Sequence, residues 1–276
     1  MFGVRSLANL LVLPVFATVG CRAQDLRSLP PDLKVPVLPT HRSVPAPPAA
    51  GQGTLWVSLA DHLGRGTRPQ RSAPLLTLTS AGQAPLQLLD PSGTVVADGP
   101  SLRFSWRLVP LETPLAVARR VAGPLASFES AERLADRWRD QGVEAKVAHP
   151  DEWEVWAPLD APDLAGVTLR DLTTTIAAVV RPVLEGPEGG RTLQGPLQVQ
   201  APDGLRWKGG VMRGPFRLQA DAYGSWTLLE QVSLERYLEG VVPHEIGAGA
   251  AAAALQAQAV LARTSAPANS HRFAID

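Results

Sequence analysis

Residues 233–266 read SLERYLEGVVPHEIGAGAAAAALQAQAVLARTSA. One carboxylate, Glu245, stands there between a proline-interrupted apolar run and a helix made almost wholly of alanine. Pro243 removes a backbone donor and crowds the preceding turn. A short helix is therefore expected over Leu234 to Leu238, and a second one from about Ala250 to Ala266, ended by Pro267. On the second helix Ala251, Leu255, Ala259 and Ala262 share one face. Alanine combines high helix propensity with little bulk, so this helix is expected to approach a sheet closely and to be buried on most sides. Desolvation among Val241, Val242 and Ile246 would favour the proton-bearing form of Glu245, while the positive end of the following helix would favour the charged form. If desolvation prevails, Glu245 can act as a general acid. The plain alternative is an acidic residue in the first turn of a helix.

Working back toward the N-terminus, the pattern is one of strands. PFRLQADAYGSWTLLEQVSLERYL, from Pro215, alternates and leads into the first helix. Before it, PLQVQAPDGLRWKGG reads as a hairpin, with Leu197 and Val199 ahead of an Asp203-Gly204 turn and Leu205 and Trp207 after it. GPEGG (186–190) is a loop, and TTTIAAVV (173–180) a buried strand. From Leu55 the short runs LWVSLA, LLTLTS, LQLLD, TVVADG and LRFSWR alternate with turn signals such as Asp90-Pro91-Ser92-Gly93, as short antiparallel strands do.

Around residue 125 the texture changes. Ala131, Leu134, Ala135 and Trp138 fall at helical spacing, Ser127 or Ser130 can cap the start, and Gly142 can supply a left-handed stop. Val143, Ala145 and Val147 then alternate, followed by Trp153 and Val155. This strand, helix, strand, strand unit, over about residues 113–160, reads as an insert.

The chain has 276 residues, of which 45% are apolar, enough for a substantial core. With 26 basic and 26 acidic residues, and no basic stripe or like-charge block, it lacks the electrostatic footprint of a nucleic-acid binder. The opening MFGVRSLANLLVLPVFATVGCRAQ has a basic start at Arg5, an apolar core from Leu7 to Val19 and Gly20 directly before the single cysteine, Cys21. This is signal-peptide architecture (1–23), and export to the cell envelope or periplasm is expected. Cys21 also fits a lipoprotein box as the lipidation site, although Thr18 stands where leucine is usual; the alternative is plain secretion. Residues 24–53 form a spacer, with seven prolines between Pro30 and Pro48.

The stretch SLERYLEGVVPHEI, followed by ALQAQAVLARTSA, resembles the core of the SpoIID/LytB family, the stage II sporulation protein D and amidase enhancer group. The matching positions are Leu234, Glu235, Tyr237, Leu238, Gly240, Val241, Val242 and Glu245, then Ala254, Leu255, Ala257, Gln258, Ala259, Val260, Ala262, Arg263 and Thr264. Ile246 replaces the usual methionine and Gln256 the usual lysine. The resemblance implies an α+β fold: a β-rich SpoIID-type domain over 54–276 with an alanine-rich core helix. The insert, 113–160, resembles the SPOR peptidoglycan-binding repeat.

What the family resemblance implies is a lytic transglycosylase that cuts peptidoglycan between N-acetylmuramic acid and N-acetylglucosamine, preferably on strands freed of peptides. Glu245 maps to its catalytic acid. Gln258, Arg263 and Tyr237 are candidates to orient that acid or the sugar. Peptidoglycan strands, a cell-wall amidase and a lipid-anchored membrane are the implied partners, and nucleic acid is not among them. The family pattern continues into an Asp-x-x-x-x-Cys-Gln segment that forms part of the cleft and, in some members, a zinc site. His271 and Asp276 stand where it would begin and no cysteine follows, so the resemblance implies a copy incomplete at its C-terminus. No cofactor is expected, since one histidine cannot make a zinc site of three or four ligands.

Two other readings stay open. One is a non-catalytic glycan-binding or amidase-enhancing envelope protein that uses the insert and tryptophans among Trp138, Trp153, Trp156, Trp207 and Trp226. The other is a two-carboxylate hydrolase with Glu245 paired to Glu239 or Glu235.

Overall fold

The computed structural model describes residues 53–268. The signal segment with Cys21, residues 24–52 of the spacer, and His271 and Asp276 lie outside the described residues. In chain order the elements are β1 (Thr54–Leu63), β2 (Leu76–Thr79), β3 (Leu86–Leu89), β4 (Val95–Gly99), β5 (Ser101–Leu125), α1 (Phe128–Arg139), β6 (Lys146–Ala148) and β7 (Trp153–Ala157). They continue with β8 (Leu169–Leu184), β9 (Arg191–Thr192), β10 (Leu197–Gln200), β11 (Leu205–Trp207), β12 (Gly210–Met212), β13 (Phe216–Ala220), β14 (Trp226–Ser233), α2 (Leu234–Ile246) and α3 (Ala252–Ala268). The fold is α+β and dominated by strands.

One sheet runs β1-β14-β13-β10-β3-β4, all antiparallel. Its inner face, with Leu86, Leu88, Leu197, Val199, Phe216, Leu218, Trp226 and Leu228, packs on Leu76, Leu78, Leu102, Phe104 and Trp106 of the second sheet. Each such fully buried side chain contributes about 1.5–3 kcal/mol. Trp226 also ties the sheets by a polar contact, its indole N–H donating to the Val180 carbonyl at 2.9 Å. The hairpin expected around Asp203-Gly204 does not form. β10 pairs with β3 and β13, while β11 pairs with β12 around Lys208 (φ 45°) and Gly209 (φ 85°). Two consecutive positive φ values are what a two-residue hairpin loop requires. Asp203 instead accepts the Ala84 N–H at 2.8 Å.

LRFSWR begins no short strand. β5 runs for 25 residues and pairs with the 16 residues of β8, with an irregularity between Pro110 and Leu115. Of the stretch 173–180, expected to be buried, only Val179 is. These residues belong to β8 where it runs beside β5, and Thr174, Thr175 and Ala177 face solvent.

Beyond the irregularity, the far halves of β5 and β8 with β7, β6 and α1 enclose a second core. It holds Ala122, Phe128, Ala131, Leu134, Ala135, Trp138, Val147, Val155 and Leu164. α1 forms because its apolar residues fall on one face and both ends are satisfied. Ser127 and Ser130 make a reciprocal capping box, and past the C-cap the Val143 N–H returns to the Trp138 carbonyl at 3.0 Å.

The last two helices depart from expectation. α2 does not stop near Leu238 but continues through Pro243 to Ile246. Pro243 lies in the final turn, where it deprives only the Glu239 carbonyl of its donor, and Glu239 is exposed and can use water. α3 packs on α2 rather than against a sheet, and Ala262 is its one buried side chain among those described. Among the described residues the alanine-rich helix is therefore not enclosed as a core helix would be: Val260 and Leu261 are 64% and 60% exposed.

Candidate functional site

The C-terminal helix pair is mounted on the best-held strand of the first sheet. β14 is paired on both sides, by β1 and β13, and buries Trp226 through Glu230. At its end Ser233 caps α2, its hydroxyl oxygen accepting the Arg236 N–H at 3.3 Å, and the Leu234 N–H reaches the Gly53 carbonyl at 2.7 Å. Buried Glu230 accepts the N–H groups of Arg213 and Gly214 at 2.8 and 3.0 Å, and the Arg236 guanidinium stands 3.7 Å away. The base of α2 is thereby joined to the sheet by covalent, hydrogen-bonded and ionic links at once.

α2 turns at Gly247 (φ 86°) and hands over to α3, which returns along it. Leu238, Val242 and Ala262 are buried between the two helices, with Leu234, Tyr237, Val241, Leu255 and Ala259 partly buried around them. Two polar bridges cross the same interface. The Gln258 amide Nε2 donates to Glu245 Oε2 at 2.5 Å, and the Arg263 guanidinium pairs with Glu235 Oε2 at 2.5 Å.

Glu245 thus occupies the last turn of α2, not the first turn of the following helix. It is exposed, as is Ile246 at 38%, so the described residues do not supply the apolar enclosure expected from Val241, Val242 and Ile246; of these three only Val242 is buried. Of the candidates for orienting it, Gln258 is in contact with Glu245. Arg263 is not, being committed to Glu235, and Tyr237 takes part in the interhelical packing. Glu239 is exposed on α2. One oxygen of Glu245 is held by the Gln258 amide, and no other hydrogen bond or ion pair to Glu245 is made among the described residues.

Sequence reasoning passed over the role of Glu230 at the foot of α2, because a glutamate inside an apolar strand carries no pattern that marks it as a staple. Among the described residues no group of three or more His, Cys, Asp or Glu is placed to hold a metal ion.

The segment that carries this geometry, residues 222–275, matches a family model of sporulation-related, cell-wall-associated character. The family is SpoIID, the Stage II sporulation protein, and the match over this segment supports the chain's membership of it. The match takes in the β13–β14 loop from Ala222, β14, α2 and α3, and so includes Glu245, Gln258, Arg263 and Tyr237; it does not reach residues 113–160. No curated protein and no solved structure matches the chain.

Proposed function

We propose that the protein is a peptidoglycan lytic transglycosylase, with Glu245 as its single general acid and base. The observation that carries the reading is the amide-held, solvent-facing Glu245 at the end of α2, inside the SpoIID segment. In the proposed reaction the carboxylic acid protonates the oxygen of the bond between N-acetylmuramic acid and N-acetylglucosamine as that bond breaks. The resulting carboxylate then takes the proton of the C6 hydroxyl while O6 bonds to C1, closing a 1,6-anhydro ring. No water is activated, so the second carboxylate of ordinary glycosidases is not needed.

Gln258 suits this role because it fixes one carboxylate oxygen and leaves the other to carry the proton. The enclosure that favours a proton-bearing acid would come from the glycan itself, which covers an otherwise exposed group. Glu235, already paired with Arg263, is a poor second carboxylate. The reading extends to export into the envelope, with Cys21 as a lipid attachment point and strands already cleared by an amidase as preferred substrate.

The exposure of Glu245 favours one second reading, a glycan-binding or amidase-enhancing protein without catalysis. Product analysis by mass spectrometry separates these after incubation with peptide-free glycan strands. The transglycosylase gives 1,6-anhydro ends that disappear with Glu245→Gln. New reducing ends would point to a two-carboxylate hydrolase, and binding with no cleavage to the non-catalytic reading.

A further inference from the structure

Between the end of β5 and the β6–β7 connection lies a depression of about 440 Å³, open to solvent, whose walls include Pro124, Leu125, His149, Asp151, Glu152 and Trp153. Its wall is held from several sides. Phe128 presents its ring at 75° to that of Trp153 with centroids 5.5 Å apart, and the His149 ring lies 4.3 Å from Trp153. The His149 backbone N–H donates to the Tyr223 hydroxyl at 2.9 Å, and Arg65 clamps both the Asp151 carboxylate (2.6 Å) and the Pro150 carbonyl (3.0 Å). A wall fixed in advance loses little freedom when a ligand arrives.

The chemistry of the lining is one-sided. It contains two carboxylates, aromatic rings and aliphatic surface, and neither lysine nor arginine. Arg65, which reaches the rim, is spent on Asp151 and Pro150. Glu152 is exposed and makes no ion pair or hydrogen bond with any described residue. A phosphate or carboxylate would find no free cation here. A ligand with its own positive charge on a slender apolar stem finds a carboxylate for the charge, the Trp153 ring in the wall, and Pro124 and Leu125 for the stem.

We infer that this depression binds a primary ammonium carried on a short aliphatic stem, as on a lysine-type side chain, with Glu152 as its counter-ion. The inference stands apart from the chemistry of Glu245, and its test reads binding alone.

The full chain is titrated at neutral pH with Nα-acetyl-lysine amide. Binding is followed by the indole N–H resonance of Trp153, identified by its loss in Trp153→Phe. Nα-acetyl-norleucine amide, which keeps the stem without the charge, and glucosamine, which carries the charge on a sugar, are titrated in parallel. The lysine compound is expected to bind about tenfold more tightly than the norleucine compound. Glu152→Gln, at an exposed position, should weaken it about threefold, and high salt should shrink the difference. Equal binding of the norleucine compound, unchanged affinity in Glu152→Gln, or no saturable shift at Trp153 would overturn the inference. Tighter binding of glucosamine would overturn the lysine-type assignment in favour of an amino sugar.

Discussion

Helices α1 and α3 are held in opposite ways. α1 has twelve residues and buries Phe128, Ala131, Leu134, Ala135 and Trp138, with a capping box at one end and a returning chain at the other. α3 has seventeen, of which the described side chains include one buried, Ala262, and it is apolar on sides that no described residue covers. The difference separates two tasks. The unit around α1 encloses a small core of its own, whereas the helix pair bearing Glu245 is held by a thin apolar seam, two polar bridges and its attachment to β14. Low burial leaves the carboxylate reachable, and it also makes the pair the part of the molecule most easily opened.

If that division is right, damage to one region should leave the other standing. Trp138→Ala removes a fully buried ring and the indole bond to the Pro162 carbonyl, so a loss of about 3–5 kcal/mol is expected by chemical denaturation. Hydrogen exchange should quicken across α1, β6 and β7 and stay unchanged in α2 and α3; simultaneous melting of both would break the comparison. Leu238→Ala cuts the seam itself. It should cost about 2 kcal/mol, the lower end for such a truncation because few partners surround the site, and should open α2 and α3 to exchange while α1, β6 and β7 keep their protection.

Smaller changes sharpen the contrast. Ser127→Ala removes the capping box of α1 and should cost about 1 kcal/mol, read as a fall in the denaturation midpoint. The tie between Arg65, after β1, and Asp151, before β7, should respond to acid. The Arg65 hydrogen bond holds the Asp151 carboxyl below its ordinary value, so the tie stabilises the fold above the usual carboxylate range and is lost as pH falls through the lowered value. Exchange of the His149 amide should quicken in that acid window in the wild type, and Asp151→Asn should abolish the step.

Much of this arrangement was legible in the sequence, for reasons that differ from place to place. α1 was readable because Ala131, Leu134 and Trp138 repeat at helical spacing between a serine cap and Gly142. The β13–β14 hairpin was readable from its alternation. The long pairing of β5 with β8 was not, since period-two patterns weaken where both faces meet water. β10 and β11 misled because Asp203-Gly204 looks like a hairpin turn, while Lys208-Gly209 supplies the one that forms. α3 misled for a related reason: a run of alanines has no polar face to say which side is covered, so propensity announced the helix but not its burial. At the site, the motif located Glu245 and Gln258, yet only the folded pair reveals that Arg263 faces Glu235 rather than Glu245.

In the proposed reaction one carboxyl group, Glu245, performs both proton transfers. This is tested most directly by the rate at which 1,6-anhydro ends form on peptide-free glycan strands, compared between the wild type and Glu245→Gln with folding checked by circular dichroism. A fall of about 10²- to 10⁴-fold with the fold intact is expected. Cleavage that continues unchanged in Glu245→Gln, or a folded wild type that binds the strands and never cuts them, would contradict it.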